Sequence, residues 1–364
     1  MDIGNVHKQN VLLRVDLEGC RKHLWKINNI LPTVNQLLSQ GASVCLFPSI
    51  GPALMPNKAS SKIYLHILEE LFKQEVHWFN DHRDNMQLGR IYLHENAFMH
   101  PKDIYGDKDL VSEIIQPFDL LVHDTYAYLE TSYASAQGLL ASTIPQRLGL
   151  HAEKTIHFRE HMRQAKVGVV LGGSQVAWQL RCIRNYLKSL KFVAVGGAVA
   201  KVMMGLSDEI IGPLYDDVRK TMALLRQAGV QVIYPVDVIA YSPESQRNRI
   251  CLYQDLEANE KVMDIATRSR ERILQLAQSD DIDTVVLSGE VGEYLDPRYS
   301  RNTEMLLKEI AQINKCKAIA GNTLLNIASR LHISGHYDFQ LSGHTLEMQY
   351  LTQDNYNIRE WENL

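Results

Sequence analysis

Two groups of residues have types and spacing that suit chemistry. The first is acidic: Asp16 and Glu18 follow the apolar run Val11-Leu12-Leu13-Arg14-Val15, and His123, Asp124 and Glu130 follow a second run, Asp119 to Val122. Carboxylates with a histidine are the right ligands for a divalent cation, yet this spacing matches no metal motif, and carboxylates at strand ends are more often simply solvated. The second group is glycine-rich: Leu171-Gly172-Gly173-Ser174, Val195-Gly196-Gly197, Ser288-Gly289-Glu290-Val291-Gly292 and Ala320-Gly321-Asn322-Thr323. Each closes a β-branched or aliphatic run and opens a helical stretch. In a parallel sheet such turns gather at the carboxyl edge, where helix N-termini offer N–H groups to phosphate. The alternative is that tight strand–helix turns need small residues. Neither Gly-x-x-x-x-Gly-Lys-Ser/Thr nor Gly-x-Gly-x-x-Gly occurs. The five cysteines (Cys20, Cys45, Cys182, Cys251, Cys316) are scattered without pairing motifs, which predicts packing roles in a reducing compartment. His100 and His151 stand alone and read as structural.

The elements that must position these residues alternate between strand and helix. Strands are expected at Val11–Val15, Ser43–Phe47, Glu75–Phe79, Arg90–Leu93, Asp119–Val122, Val167–Leu171, Phe192–Val195, Gln231–Tyr234, Thr284–Leu287 and Ala318–Ala320. Helices are expected at Ile27–Gln40, Ser60–Gln74, Tyr215–Gln227, Glu257–Gln278 and Thr303–Lys315. This predicts an α/β protein with parallel sheets covered by helices. Its 364 residues suit two domains, expected as 1–150 and 151–350 with a tail at 351–364 and the boundary near 146–165. An apolar fraction of 45% supplies two cores. No apolar run is long enough for a membrane span and the first residues are polar, so a cytoplasmic protein without membrane association is expected. Net charge is −4, and residues 1–150 carry 13 Lys+Arg against 16 Asp+Glu, so nucleic acid is not an expected partner.

Taken in order, the motifs resemble one family, phosphoglycerate kinase. Arg14-Val15-Asp16-Leu17 is similar to its Arg-Val-Asp-Phe-Asn, and Leu31-Pro32-Thr33 to its Leu-Pro-Thr. Glu95-Asn96-Ala97-Phe98-Met99-His100 resembles Glu-Asn-x-Arg-Phe-His, His123-Asp124-Thr125-Tyr126-Ala127 resembles Asn-Asp-Ala-Phe-Gly, and Ala134-Ser135 its Ala-Ser. Leu171-Gly172-Gly173-Ser174-Gln175-Val176 is similar to Leu-Gly-Gly-Ala-Lys-Val, Val195-Gly196-Gly197 to its glycine-rich turn, and Pro235-Val236-Asp237-Val238 to Pro-x-Asp-Val. The resemblance spans about residues 10–350. It implies a two-domain fold with an interdomain cleft, phosphoglycerate bound by the first domain and ADP or ATP with Mg²⁺ by the second.

At the positions the resemblance makes functional, the sequence departs from the family. On the substrate side, the family's asparagine falls on Glu18, its pre-helix arginine on Lys26, its loop histidine and arginine on Ser49 and Pro52, and its third arginine on Phe98. Its His-Arg-Ala-His cluster falls on Glu130-Thr131-Ser132-Tyr133. On the nucleotide side, two lysines fall on Gln175 and Gln179, Asn-Gly-Pro on Ser288-Gly289-Glu290, the downstream glutamate on Leu295 and an aspartate on Asn322; Thr323 and Gly343 match. Phosphoryl transfer relies on positioning and charge neutralisation, and a transition-state arginine alone is worth roughly 10³–10⁵ in rate. Asp16, Glu18, Asp124 and Glu130 are expected to line the former phosphate pocket with acid. The resulting expectation is a pseudoenzyme, monomeric, that binds a protein partner or small molecule, with no cofactor and no metal. The alternatives are a nucleotide-dependent kinase with an altered carboxyl acceptor, using ATP/ADP with Mg²⁺, or residual phosphoglycerate kinase. Tyr126, Tyr128 and Tyr133 with Phe98 and Met99 are expected mainly as core, or, if exposed, as a protein-contact surface.

Overall fold

A computed structural model describes residues 3–17, 24–51, 59–79, 86–129, 131–205 and 208–342. The chain divides into two compact units, the first running to His157 and the second from Phe158 to Gly343. The expected tail at 351–364, and Gly343 itself, lie outside the described residues.

The first unit is built on six parallel strands: β1 (Asn10–Asp16), β2 (Ser43–Ser49), β3 (Val76–Trp78), β4 (Ile91–Leu93), β5 (Leu120–His123) and β6 (Gln146–Leu148), in the order β3-β4-β2-β1-β5-β6. The near-continuous apolar sequence of β1 is what a strand covered on both faces requires. Val11, Leu13 and Val15 pack with Ile27, Ile30, Val34 and Leu37 of α1 (Leu24–Ser39) and with Leu68 of α2 (Leu65–Phe72). Leu12, pointing the other way, packs with Phe47, Leu121 and the Leu110, Val111 and Ile114 stripe of α3 (Lys108–Ile115). Helix α4 (Leu150–Gln164) contains the division between the units.

The second unit carries β7 (Val167–Leu171), β8 (Leu190–Val195), β9 (Gln231–Ile233), β13 (Thr284–Ser288), β14 (Cys316–Ala320) and β15 (Phe339–Leu341), all parallel, in the order β15-β14-β13-β7-β8-β9. Its helices are α5 (Val176–Asn185), α6 (Gly197–Met203), α7 (Asp208–Gln227), α8 (Thr267–Ala277), α9 (Arg301–Ala311) and α10 (Asn322–Arg330). One expectation is corrected. A separate antiparallel sheet, ordered β11-β10-β12, is formed by β10 (Asp237–Ser242), β11 (Arg247–Leu252) and β12 (Lys261–Ile265). The stretch Glu257–Gln278, expected as one helix, is thus a strand followed by a helix. The apolar residues of Lys261–Ile265 fit either period over so short a run.

Candidate functional site

In the first unit, Asp16, Ser49 and Asp124 stand at the carboxyl ends of β1, β2 and β5. Asp16 and Ser49 end β1 and β2 as a register pair. Asp16 does not contribute bare acid. Its Oδ2 accepts from Lys26 Nζ at 2.9 Å, and both groups are buried. Asp124 is likewise committed: it is 1% exposed, and its Oδ1 accepts the N–H groups of His151 and Ala152 in the first turn of α4. Burial raises its carboxyl pKa above the usual value, against the opposing pull of His151, Thr33 and those N–H bonds. The expected acid-lined pocket is therefore corrected at both described carboxylates, one neutralised by a lysine and the other capping a helix. Glu18 and Glu130 lie outside the described residues, as does Pro52.

The cation reading loses its histidine as well. His123 is fully buried with Nε2 at 2.8 Å from Gln146 Oε1. Burial and the Arg14 charge lower its pKa to about 3, so the ring is neutral. Among the described residues no cluster of three or more His, Cys, Asp or Glu is arranged to hold a metal.

Phe98, on which the resemblance places a family arginine, is completely buried and meets the rings of Tyr128 and Tyr133 edge-on at 4.7 and 5.8 Å. Tyr128 adopts a left-handed φ of 63° and donates its hydroxyl to Gly51 O at 3.0 Å, while Thr131 donates to Tyr128 O. Tyr126 is core, donating to Ala152 O. Of the aromatic set and its neighbour, Met99 alone is substantially exposed, at 42%. An apolar ring cluster thus occupies the surroundings of Phe98, where the resemblance implies a guanidinium.

Sequence reasoning passed over what holds this edge in place. Arg14, fully buried on the Leu12 face of β1, donates to the carbonyls of Ser135, Thr125 and Ala127. Asp103 accepts from Ser135 N and Oγ. Glu95 accepts from Ser60 Oγ, Ser61 N and Asn96 N; burial alone would raise its pKa, but these bonds leave it lowered. Arg14 and Glu95 are visible in the sequence as motif residues; their acceptors and donors are not.

In the second unit the glycine turns converge at the carboxyl edge, but their N–H groups point into one another. Gly172 N donates to Ser288 O, Gly173 N to Glu290 O, Gly196 N to Leu171 O and Gly197 N to Val291 O, all within 2.6–2.8 Å. Gly289 N reaches Ala320 O at 3.4 Å, and Gly321 N donates to Leu341 O. Close approach is what glycine provides here: a Cβ on Gly172 would land on Glu290 O. Of the two readings of these turns, phosphate-facing N–H groups or small residues needed for tight packing, the contacts at these residues favour the second, because the turns knit the strand ends together. Gln179 is 4% exposed and donates to Gly172 O, Ser288 O and Ser288 Oγ, so its amide is turned into the fold. Gln175 is exposed at the start of α5, Glu290 brings its carboxylate within 3.5 Å of where a Gly173 Cβ would lie, and Leu295 is 97% exposed. Gly292 abuts the buried Asp264. Asn322 and Thr323 open α10 after Gly321, whose φ is 102°. A nucleotide with Mg²⁺ needs ammonium groups and open N–H donors around its phosphates; the turn N–H groups named above and the two glutamines do not fit that need.

Comparison with known proteins places the whole chain. The family model of phosphoglycerate kinase matches residues 1–352. The chain belongs to the phosphoglycerate kinase family. It is 25% identical to the phosphoglycerate kinase of Pelotomaculum thermopropionicum, with 95% of this chain and 94% of that protein covered. The phosphoglycerate kinase of Zymomonas mobilis is 24% identical, over 87% and 86%. The fold matches the crystal structure of phosphoglycerate kinase from Pyrococcus horikoshii with a TM-score of 0.79 at 19% identity, covering 99% and 98% of the two chains. The enzyme from Coxiella burnetii gives 0.80 at 18%, covering 98% and 96%. Among the described residues, no helix of this family member is long and apolar enough to cross a membrane.

Proposed function

We propose that this member of the phosphoglycerate kinase family binds a protein partner or small molecule without transferring a phosphoryl group. The observation that carries this reading is the commitment of the second unit's glycine turns: four of their N–H groups are spent on carbonyls of neighbouring strand ends and turns, and Gln179, on which the resemblance places a family lysine, is spent on Gly172 and Ser288. Phe98 among tyrosines supports it from the first unit. A monomer in a reducing cytosol suits the unpaired cysteines Cys45, Cys182, Cys251 and Cys316.

A second reading, residual phosphoglycerate kinase or an ATP–Mg²⁺ kinase with another carboxyl acceptor, is favoured by the curated relatives, which are named phosphoglycerate kinase. The opening turn of α10, with Asn322 exposed beside Thr323, also supports it. A coupled assay with 3-phosphoglycerate and ATP–Mg²⁺ decides between them. The proposal expects a rate at least about 10³-fold below that of an active family enzyme run in parallel. Turnover within about tenfold of that enzyme overturns it, and turnover with a different carboxylate establishes the altered acceptor.

A further inference from the structure

Asp264 is the penultimate residue of β12 and has 1% of its surface exposed. Its Oδ1 accepts from Ile265 N and its Oδ2 from Asn302 Nδ2, both neutral donors. The charged groups on the elements around it are already engaged. Arg270 of α8 donates Nη1 to Asn302 Oδ1 and pairs through Nε with Glu309 of α9 at 3.0 Å. Lys201 of α6 pairs with Glu293 at 3.2 Å, and Asp237 of β10 accepts from Ser269 and Arg268 N. An ionised Asp264 would therefore be a buried charge whose nearest cation lies behind an amide and serves another carboxylate, which is a costly arrangement. Burial accordingly raises its pKa to about 7.

What the carboxyl presses on gives this a consequence. Asp264 lies against Gly292, so closely that a Cβ there would collide with Oδ1. Glu293 N donates to Met263 O, clamping the same turn to the same strand. That turn supplies the Glu290 and Val291 carbonyls that hold Gly173 N and Gly197 N.

We infer that Asp264, with Asn302 and Arg270 behind it, is a proton-operated latch on the Gly289–Gly292 turn. Neutral, the carboxyl lets the turn stay packed over it and bonded to the Gly172–Gly173 and Gly196–Gly197 turns; ionised, it makes transient opening of the turn, and with it exposure of their N–H groups, more frequent. Because the closed state holds a proton that an open, solvated Asp gives up near pH 3.9, opening becomes more favourable as pH rises between about 4 and 7 and levels off above that.

The test is amide hydrogen exchange on the full chain, corrected for intrinsic base catalysis, read at Gly173 and Gly197. In the wild-type protein the opening constant of both amides rises about tenfold per pH unit toward pH 7. In Asp264→Asn, which mimics the neutral carboxyl, it stays flat. An equal rise in the variant, or protection independent of pH in the wild type, overturns the latch. Should the variant not fold, the wild-type profile alone decides, together with a shared chemical-shift midpoint near 7 at the two glycine amides.

Discussion

Asp16 and Lys26 are each less than a tenth exposed and meet at 2.9 Å. Removing one partner of a buried ion pair costs about 3–5 kcal/mol, whereas replacing both by well-packed apolar groups is often near neutral. Lys26→Met is thus expected to destabilise the first unit by about 3 kcal/mol, and Asp16→Leu combined with Lys26→Met to recover most of it. Urea unfolding followed through Trp25, which neighbours the pair, measures both; additive losses would show that the ion pair does not couple them. The residue types were legible in the sequence. Their commitment was not: Asp16 reads as a solvated acid until the first turns of α1 bring an ammonium to it, and Asp124 reads the same way until α4 begins beside it. Pairing of this kind is set by tertiary approach, which spacing along the chain does not encode.

Strand–helix alternation was legible because fully covered parallel strands demand runs such as Val167–Leu171 and Thr284–Ser288, which little else in a soluble protein explains. The antiparallel sheet was missed for the complementary reason. Arg247–Leu252 is exposed over most of its length and Lys261–Ile265 is only partly buried, so neither carries a strong apolar signal. The glycine turns were legible in the sequence but their purpose was not, since a turn that offers N–H groups outward and one that locks to its neighbour use the same residues. The locking role makes its own prediction. Gly172→Ala drives a methyl onto a carbonyl of the adjacent turn and is expected to cost more than about 2 kcal/mol. Gly335→Ala, where a Cβ meets nothing within 4 Å, is expected to stay within about 1 kcal/mol of the wild type. Thermal melts of the two variants check the contrast. Equal melting temperatures would mean that the turns are slack enough to rearrange, and with that the N–H groups would be available after all.

Over the whole molecule the charge is −4, and the excess of acid falls chiefly in residues 1–150, where the resemblance implies an anionic substrate. A family enzyme neutralises such substrates with local cations that overcome the long-range field. Here Lys26 is consumed by Asp16 and Gln179 by the glycine turns, so the field meets no local compensation at those positions. Ligand linkage turns this into a measurable quantity. A ligand at 100 times its Kd would stabilise the folded chain by about 2.7 kcal/mol, a rise of roughly 5–11 °C in the melting temperature of a unit of 150–250 residues. Millimolar 3-phosphoglycerate or ATP–Mg²⁺ is expected to raise it by less than about 1 °C at pH 7 and low salt. A shift of several degrees with ATP–Mg²⁺ that 3-phosphoglycerate does not produce would locate binding at the second unit and favour the kinase reading. If that shift also grew between pH 5 and pH 7, nucleotide binding and opening of the Gly289–Gly292 turn would be coupled, because ionisation of Asp264 favours the open turn, in which the Gly173 and Gly197 N–H groups can meet phosphate.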